Sequence, residues 1–252
     1  KVLNSYQVGH RIPFGQGRRP SGASFIACRE PYMAVNTESE NRSAFWLGDF
    51  DEPDCHTRTW QIPCSSHDTK YTLIDYYLPQ IKDMEKAGTV CSWEGVPENG
   101  GPMDTPYEPI FAAAFKALCD WVRCGIPAPH APKIKTVQTY EPTDMTGALI
   151  ANKKDIFGNA LGGIRYPYAD CPTASCQSYT VHEDKETIQM MFGTVKPFTK
   201  EALKQIYGDL SHYRELAEAS ADDAIAKGFI LKEDREYMVE SCVRLAKERG
   251  LD

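Results

Sequence analysis

Short apolar runs that stop abruptly in polar residues mark the first third of the chain. Pro31-Tyr32-Met33-Ala34-Val35 ends in Asn36-Thr37-Glu38-Ser39-Glu40, and Thr57-Arg58-Thr59-Trp60-Gln61-Ile62 ends in Pro63-Cys64-Ser65-Ser66-His67-Asp68. Brief β-prone runs of this kind are what buried strands of a mostly parallel sheet produce. The rhythm then changes. After a Pro- and Gly-rich loop over 92–109, Phe111, Ala114, Phe115, Leu118 and Val122 recur at helical spacing, and Gly125 followed by Pro127 supplies the stop. Residues 126–135 read as a connector and 136–196 as short strands mixed with extended loops. The tail is helical. Leu203, Ile206, Tyr207 and Leu210 share one face behind a Thr199 N-cap, a second helix runs from 211 to Gly228, and a third places Met238, Cys242 and Leu245 on one side before Gly250.

The 252 residues, 42% hydrophobic and 25% charged, suffice for a globular core. A net charge of −7 gives no reason to expect a nucleic-acid partner. No window approaches the roughly 20 apolar residues of a membrane span. The start at Lys1 is neither a signal peptide nor an initiating Met, which reads as a processed or excised chain. No spacing of Cys and His suggests a zinc site, and no motif calls for a cofactor. The nine cysteines point instead to an oxidising compartment with structural disulfides, and hence to secretion, with one thiol left over or bonded to another chain. Cys171 and Cys176 are spaced to close a small loop. Cys119 and Cys124 fall about 140° apart on a helix, which disfavours a bond between them. The sequon Asn41-Arg42-Ser43 fits glycosylation in that setting.

Chemistry gathers where the two apolar runs end. Glu38 and Glu40 follow the first strand and His67 follows the second, a separation that suits one strand–helix–strand step. In α/β sheets, catalytic groups collect beyond the carboxyl ends of strands. A carboxylate there can fix the tautomer of an imidazole, which takes a proton from a nucleophile and returns it to the leaving group. The order, acid then histidine, is that of the last two triad members in α/β-hydrolases. The alternative for these residues is ordinary solvated loop chemistry.

The strings Tyr32-Met33-Ala34-Val35-Asn36-Thr37-Glu38-Ser39-Glu40 and Trp60-Gln61-Ile62-Pro63-Cys64-Ser65-Ser66-His67-Asp68 resemble a branch of the α/β-hydrolase superfamily described only by its α/β-hydrolase domain. So do Ala117–Pro127, Gly158–Pro167, Asp170–Ala174 and the Phe192-Gly193 and Pro197–Thr199 strings before the tail. The likeness covers roughly residues 30–230. It implies an α/β fold: the C-terminal half of a hydrolase sheet, with flanking helices and a helical tail, completed by another chain. The chain is then one partial domain, with sheet strands in 1–92, helix, loops and the Gly-rich string in 93–198, and the tail in 199–252. It also implies His67 as the triad histidine and Glu40 as its acid, at a position where the branch carries Asp, with Glu38 as competitor. Ser65 and Ser66 receive no role.

The nucleophile is missing. Residues 1–39 contain no Gly-x-Ser-x-Gly, and Ser21 and Ser24 sit in a Gly/Arg-rich stretch. The expectation is therefore a two-chain esterase-like enzyme whose serine lies on an N-terminal chain of the same precursor, with a disulfide between the chains as one arrangement. The substrate would be a small apolar ester. The competing expectation is a secreted, non-catalytic binding or storage protein holding an apolar ligand on the same scaffold. The string Gly158-Asn159-Ala160-Leu161-Gly162-Gly163-Ile164-Arg165 lacks the signature of a phosphate loop and reads as a turn with positive φ at Gly162 or Gly163. Arg165 is a candidate partner for a substrate carboxylate.

Overall fold

The computed structural model describes residues 2–4, 30–43, 49–52, 55–89, 101–140, 150–178 and 191–252. Ser21, Ser24, Cys28 and Cys91 lie outside the described residues. The two apolar runs are strands. β1 is Val2–Asn4, β2 is Tyr32–Thr37, β3 is Phe50–Glu52 and β4 is Cys55–Ile62. They form one sheet in the order β1-β2-β4-β3. β1 and β4 flank β2 in parallel, with Val35 opposite Trp60 and Thr37 opposite Ile62. β2 is buried along its whole length, as a parallel strand covered on both faces must be.

One expectation about the sheet needs correcting. No α-helix joins β2 to β4 among the described residues: the link holds a 3-10 turn, Glu40–Ser43, and β3, which pairs antiparallel with β4. The turn begins at Glu40 itself, so the acid sits on a tight local structure rather than in an open loop.

The segments Lys70–Thr72 and Leu73–Tyr77 lead into α1, Leu78–Lys86. The next helix, α2, spans Glu108–Cys124, with Pro109 in its first turn and Gly125 closing it at φ 68°, a left-handed cap that glycine adopts without strain. Its buried face differs from the one read in the sequence. Ile110, Ala113, Ala114, Leu118 and Trp121 face the core, while Phe115 (62% exposed) and Val122 (59%) face outward.

Two small antiparallel pairs follow. β5, Thr136–Gln138, pairs with β6, Ile150–Asn152, and β7, Ala174–Gln177, pairs with β8, Thr194–Pro197, with the short α3, Pro167–Asp170, ahead of β7. The Gly-rich string lies against the carboxyl end of β4, where Ile164 N–H donates to Gln61 O at 2.9 Å. Gly162 and Gly163 both have positive φ, at 82° and 73°. A side chain at Gly162 would place its Cβ 2.3 Å from the Lys133 carbonyl oxygen. Close backbone approach, not phosphate binding, is what these glycines serve. Arg165 is engaged locally, donating to Asp170 Oδ1 at 2.7 Å and to the Ala169 carbonyl at 2.6 Å, so it does not stand ready for a substrate carboxylate.

The tail forms α4, Lys200–Tyr207, α5, Leu210–Ala226, and α6, Arg235–Glu248. Thr199 caps α4 as expected, its Oγ1 accepting from Ala202 N–H at 3.2 Å. Met238, Cys242 and Leu245 are buried, and one continuous apolar cluster runs from Met33 to Leu251. Buried tyrosines fasten tail to body. Tyr207 and Tyr213 donate to the carbonyls of Pro172 (2.8 Å) and Cys171 (3.1 Å). Arg249 donates to both oxygens of Asp104, which lies ahead of α2. No described helix is long and apolar enough to cross a membrane.

The cysteines depart from the expected disulfide framework. All seven described cysteines are free thiols, and Cys171 and Cys176 are separately buried rather than bridged. A buried cysteine behaves as a small hydrophobe, and here it fills core space. Asn41 also departs from its expected role. It is 7% exposed, its amide nitrogen donates to Asn152 Oδ1 at 2.9 Å, and its carbonyl oxygen accepts from Gln61. The atom a glycan would need is already engaged.

Candidate active site

The ends of β2 and β4 stand side by side because the strands are parallel and in register. Their continuations therefore meet above one edge of the sheet. There the His67 Nδ1 and the Glu40 Oε1 lie 2.5 Å apart. Glu40's second oxygen accepts from Thr37 N–H (2.8 Å) and from the Thr37 hydroxyl (3.0 Å). This fixes the carboxylate at the strand end and aims its other oxygen at the ring. The extra methylene that distinguishes Glu from Asp is taken up by the 3-10 turn, which lets the side chain fold back across Thr37.

A carboxylate at Nδ1 holds the proton on that nitrogen and presents Nε2 for proton transfer. Burial pulls the imidazole down in pKa, but the hydrogen bond and charge of Glu40, with Asp68 nearby, outweigh it. The net position lies above the ordinary value of 6.5. Asp68 itself is pushed up by burial against the opposing pull of His67 and Tyr77.

Glu38, the competing acid, does not contact the ring. It is fully buried, its Oε2 accepts from Cys64 N–H at 2.8 Å, and its Oε1 pairs with Lys154 Nζ at 2.6 Å. The structure thus separates two carboxylates that the sequence left in competition. Glu40 orients the imidazole and Glu38 anchors the loop that carries it.

That loop is held at several further points. Cys64 adopts φ 54°, a left-handed conformation that costs a non-glycine residue about 1–2 kcal/mol. Thr105 Oγ1 donates to the Cys64 carbonyl, and Ser65 Oγ accepts from Glu38 N–H at 3.1 Å while donating to Ile62 O at 2.6 Å. Tyr107 OH donates to the His67 carbonyl at 3.3 Å, and Asp68 N–H donates to Met191 O at 3.0 Å. Thr105, Tyr107, Asn152 and Lys154 do not stand out in the sequence, and Ser65, assigned no role there, ties the two strand ends together. Lys154 and Asn152 lie more than a hundred residues from Glu38, and no local spacing marks them.

Cys64, only three residues from His67, is buried in the core. Its thiol is pushed well up by contact with Cys176 and by burial, and a reactive cysteine needs the opposite shift. Among the described residues, no group of three or more His, Cys, Asp or Glu side chains is placed to hold a metal ion.

A cavity of about 380 Å³ opens beside this network, lined by Glu38, Asn152, Lys154 and the β7–β8 hairpin. Its walls carry polar and apolar surface in nearly equal share.

Comparison with known proteins places the chain. The family described as "Alpha/beta hydrolase domain" matches residues 6–240. No curated protein and no solved structure matches it. The match spans both strand ends that carry Glu40 and His67 and the glycine string beneath them, and on that span the chain belongs to the alpha/beta hydrolase domain family.

Proposed function

We propose that this chain supplies the histidine and acid of a Ser-His-acid triad for hydrolysis of an ester or related acyl bond. His67 takes the nucleophile's proton and returns it to the leaving group, and Glu40 fixes the ring's tautomer and balances its charge in between. The serine comes from polypeptide N-terminal to the acid strand. The observation that carries this reading is the 2.5 Å contact between His67 Nδ1 and a carboxylate whose other oxygen is locked by Thr37.

Family membership supports the reaction class, and the sequence of the first 39 residues, without Gly-x-Ser-x-Gly, supports a nucleophile from elsewhere. The second reading, a non-catalytic protein storing an apolar ligand, draws less support because it leaves the His67–Glu40 pair without a role. A fluorophosphonate probe applied to native material tests the proposal. Labelling of a serine, abolished by His67→Ala, is the expected result. Absence of any labelled serine overturns it.

A further inference from the structure

The cavity beside Glu38 owes its character to one face of a hairpin. Register in the β7–β8 pair places Ser175 opposite Lys196 and Gln177 opposite Thr194. Side chains alternate across a strand, so these four share a face while Cys176 and Val195 turn into the core. That polar face lines the cavity. Gly158, at φ 80°, passes close by: a Cβ there would come 3.5 Å from Ser175 Oγ, so the wall is narrow at this point.

Its hydrogen-bonding capacity is not used up by the protein. Ser178 is 4% exposed and lines the cavity, yet its hydroxyl has no hydrogen-bond partner among the described residues. That hydroxyl can both donate to and accept from a ligand atom in the cavity. Lys196 lines the same space and pairs with no carboxylate among the described residues. Lys154 spends one donor on Glu38 at 2.6 Å and points another toward Cys176 O at 3.4 Å, which leaves a third. Among the described residues, the one carboxylate in the wall, Glu38, is already neutralised by Lys154 and accepts from Cys64 N–H. Among those same residues the charge of Lys196 therefore remains over.

We infer that this cavity binds a carboxylate-bearing small molecule, its carboxylate meeting Lys196 and the Ser178 hydroxyl. A volume of about 380 Å³ suits a small metabolite-sized ligand, and the ammonium, hydroxyl and amide groups in its wall offer an anion its partners. A monoanionic group fits better than a phosphate dianion, because Glu38 stands in the same wall. The inference rests on the proposed hydrolase reading only for what the ligand is, namely the charged part of the ester substrate. The binding site itself does not depend on it.

Calorimetric titration of the protein with succinate, dimethyl succinate and inorganic phosphate tests the inference without any turnover. Saturable succinate binding is expected, with none for the neutral diester and weaker binding for phosphate. Lys196→Met is expected to weaken succinate about tenfold, the loss of one charge-assisted contact, and Lys196→Arg to keep it. Lys196 is exposed, so neither change threatens the fold, and Ser178→Ala is expected to weaken binding in the same direction. Absence of saturable succinate binding, equal binding of the diester, or unaltered binding in both Lys196→Met and Ser178→Ala overturns the inference. Phosphate binding tighter than succinate overturns the carboxylate assignment. His67→Ala separates the two readings. Succinate binding retained there, with no serine labelled in native material, sinks the triad and leaves the subsite standing. Serine labelling without succinate binding does the reverse.

Discussion

His67 and Thr37 hold opposite oxygens of the same Glu40 carboxylate, one at 2.5 Å and the other at 2.8 Å through the Thr37 backbone. The ring is thereby tied to the end of β2, a strand buried on both faces, rather than to a loop. A rigid support of this kind keeps an imidazole within the narrow range of orientations that proton transfer needs.

Replacing Glu40 by Gln removes the charge and keeps the shape. Burial then acts on His67 with little opposition, so its pKa is expected to move from above 6.5 to below it. Titration of the ring by NMR on the isolated chain reads this directly, and an unchanged value contradicts the pairing. On the proposed function the same variant is expected to lose on the order of 10⁴-fold in kcat, the cost of a misplaced tautomer.

The raised position of His67 also sets a pH dependence of stability. A group whose folded pKa exceeds its unfolded value stabilises fully below the unfolded pKa, and that contribution is lost as pH rises through the folded one. The difference in denaturation midpoint between the native chain and His67→Ala is therefore expected to be largest below about pH 6.5 and to shrink above it. A difference that grows with pH contradicts this. For catalysis the sign is reversed. The general base must be neutral, so the rising limb of kcat/KM lies above pH 6.5.

Glu38→Ala leaves the Cys64 N–H without its acceptor and Lys154 without its counter-charge. Lys154 reaches solvent, so the cost falls chiefly on the loop, and a loss of about 2–3 kcal/mol is expected from urea unfolding. Glu38→Gln keeps one acceptor and is expected to lose less. A Glu38→Ala protein of native stability contradicts the anchoring role.

Gly162→Ala combines a left-handed backbone with a Cβ 2.3 Å from the Lys133 carbonyl, a contact that backbone cannot yield cheaply. Destabilisation of more than about 2 kcal/mol is expected. Gly88→Ala is the control, because its φ is also positive but nothing lies within 4 Å. Its loss should be about 1 kcal/mol, from backbone strain alone.

What the sequence disclosed followed from locality. Two apolar runs with polar ends gave both strands and the pair Glu40 and His67. Glu38 and Glu40 could not be told apart, since both follow the same strand two residues apart. Only the turn starting at Glu40 sends the side chains different ways. The face of α2 was misjudged because large apolar residues outweigh small ones in periodicity. The helix packs against β2, and its buried face carries Ala113 and Ala114 beside Ile110, Leu118 and Trp121, which leaves Phe115 and Val122 outside. Cysteine count suggested oxidation, but burial alone accounts for five of the seven described thiols. Lys154 was invisible, as any partner reached only through tertiary packing must be.

The antiparallel strand β3 closes one flank of the sheet with three residues, two of them acidic, a poor template for further pairing. On the opposite flank β1 runs parallel to β2. Among the described residues, growth of this sheet is thus left to the β1 side. If a strand bearing the nucleophile joins it, its berth is beside Val2–Asn4, and a charge or proline placed at that border would bar assembly while sparing the lone chain.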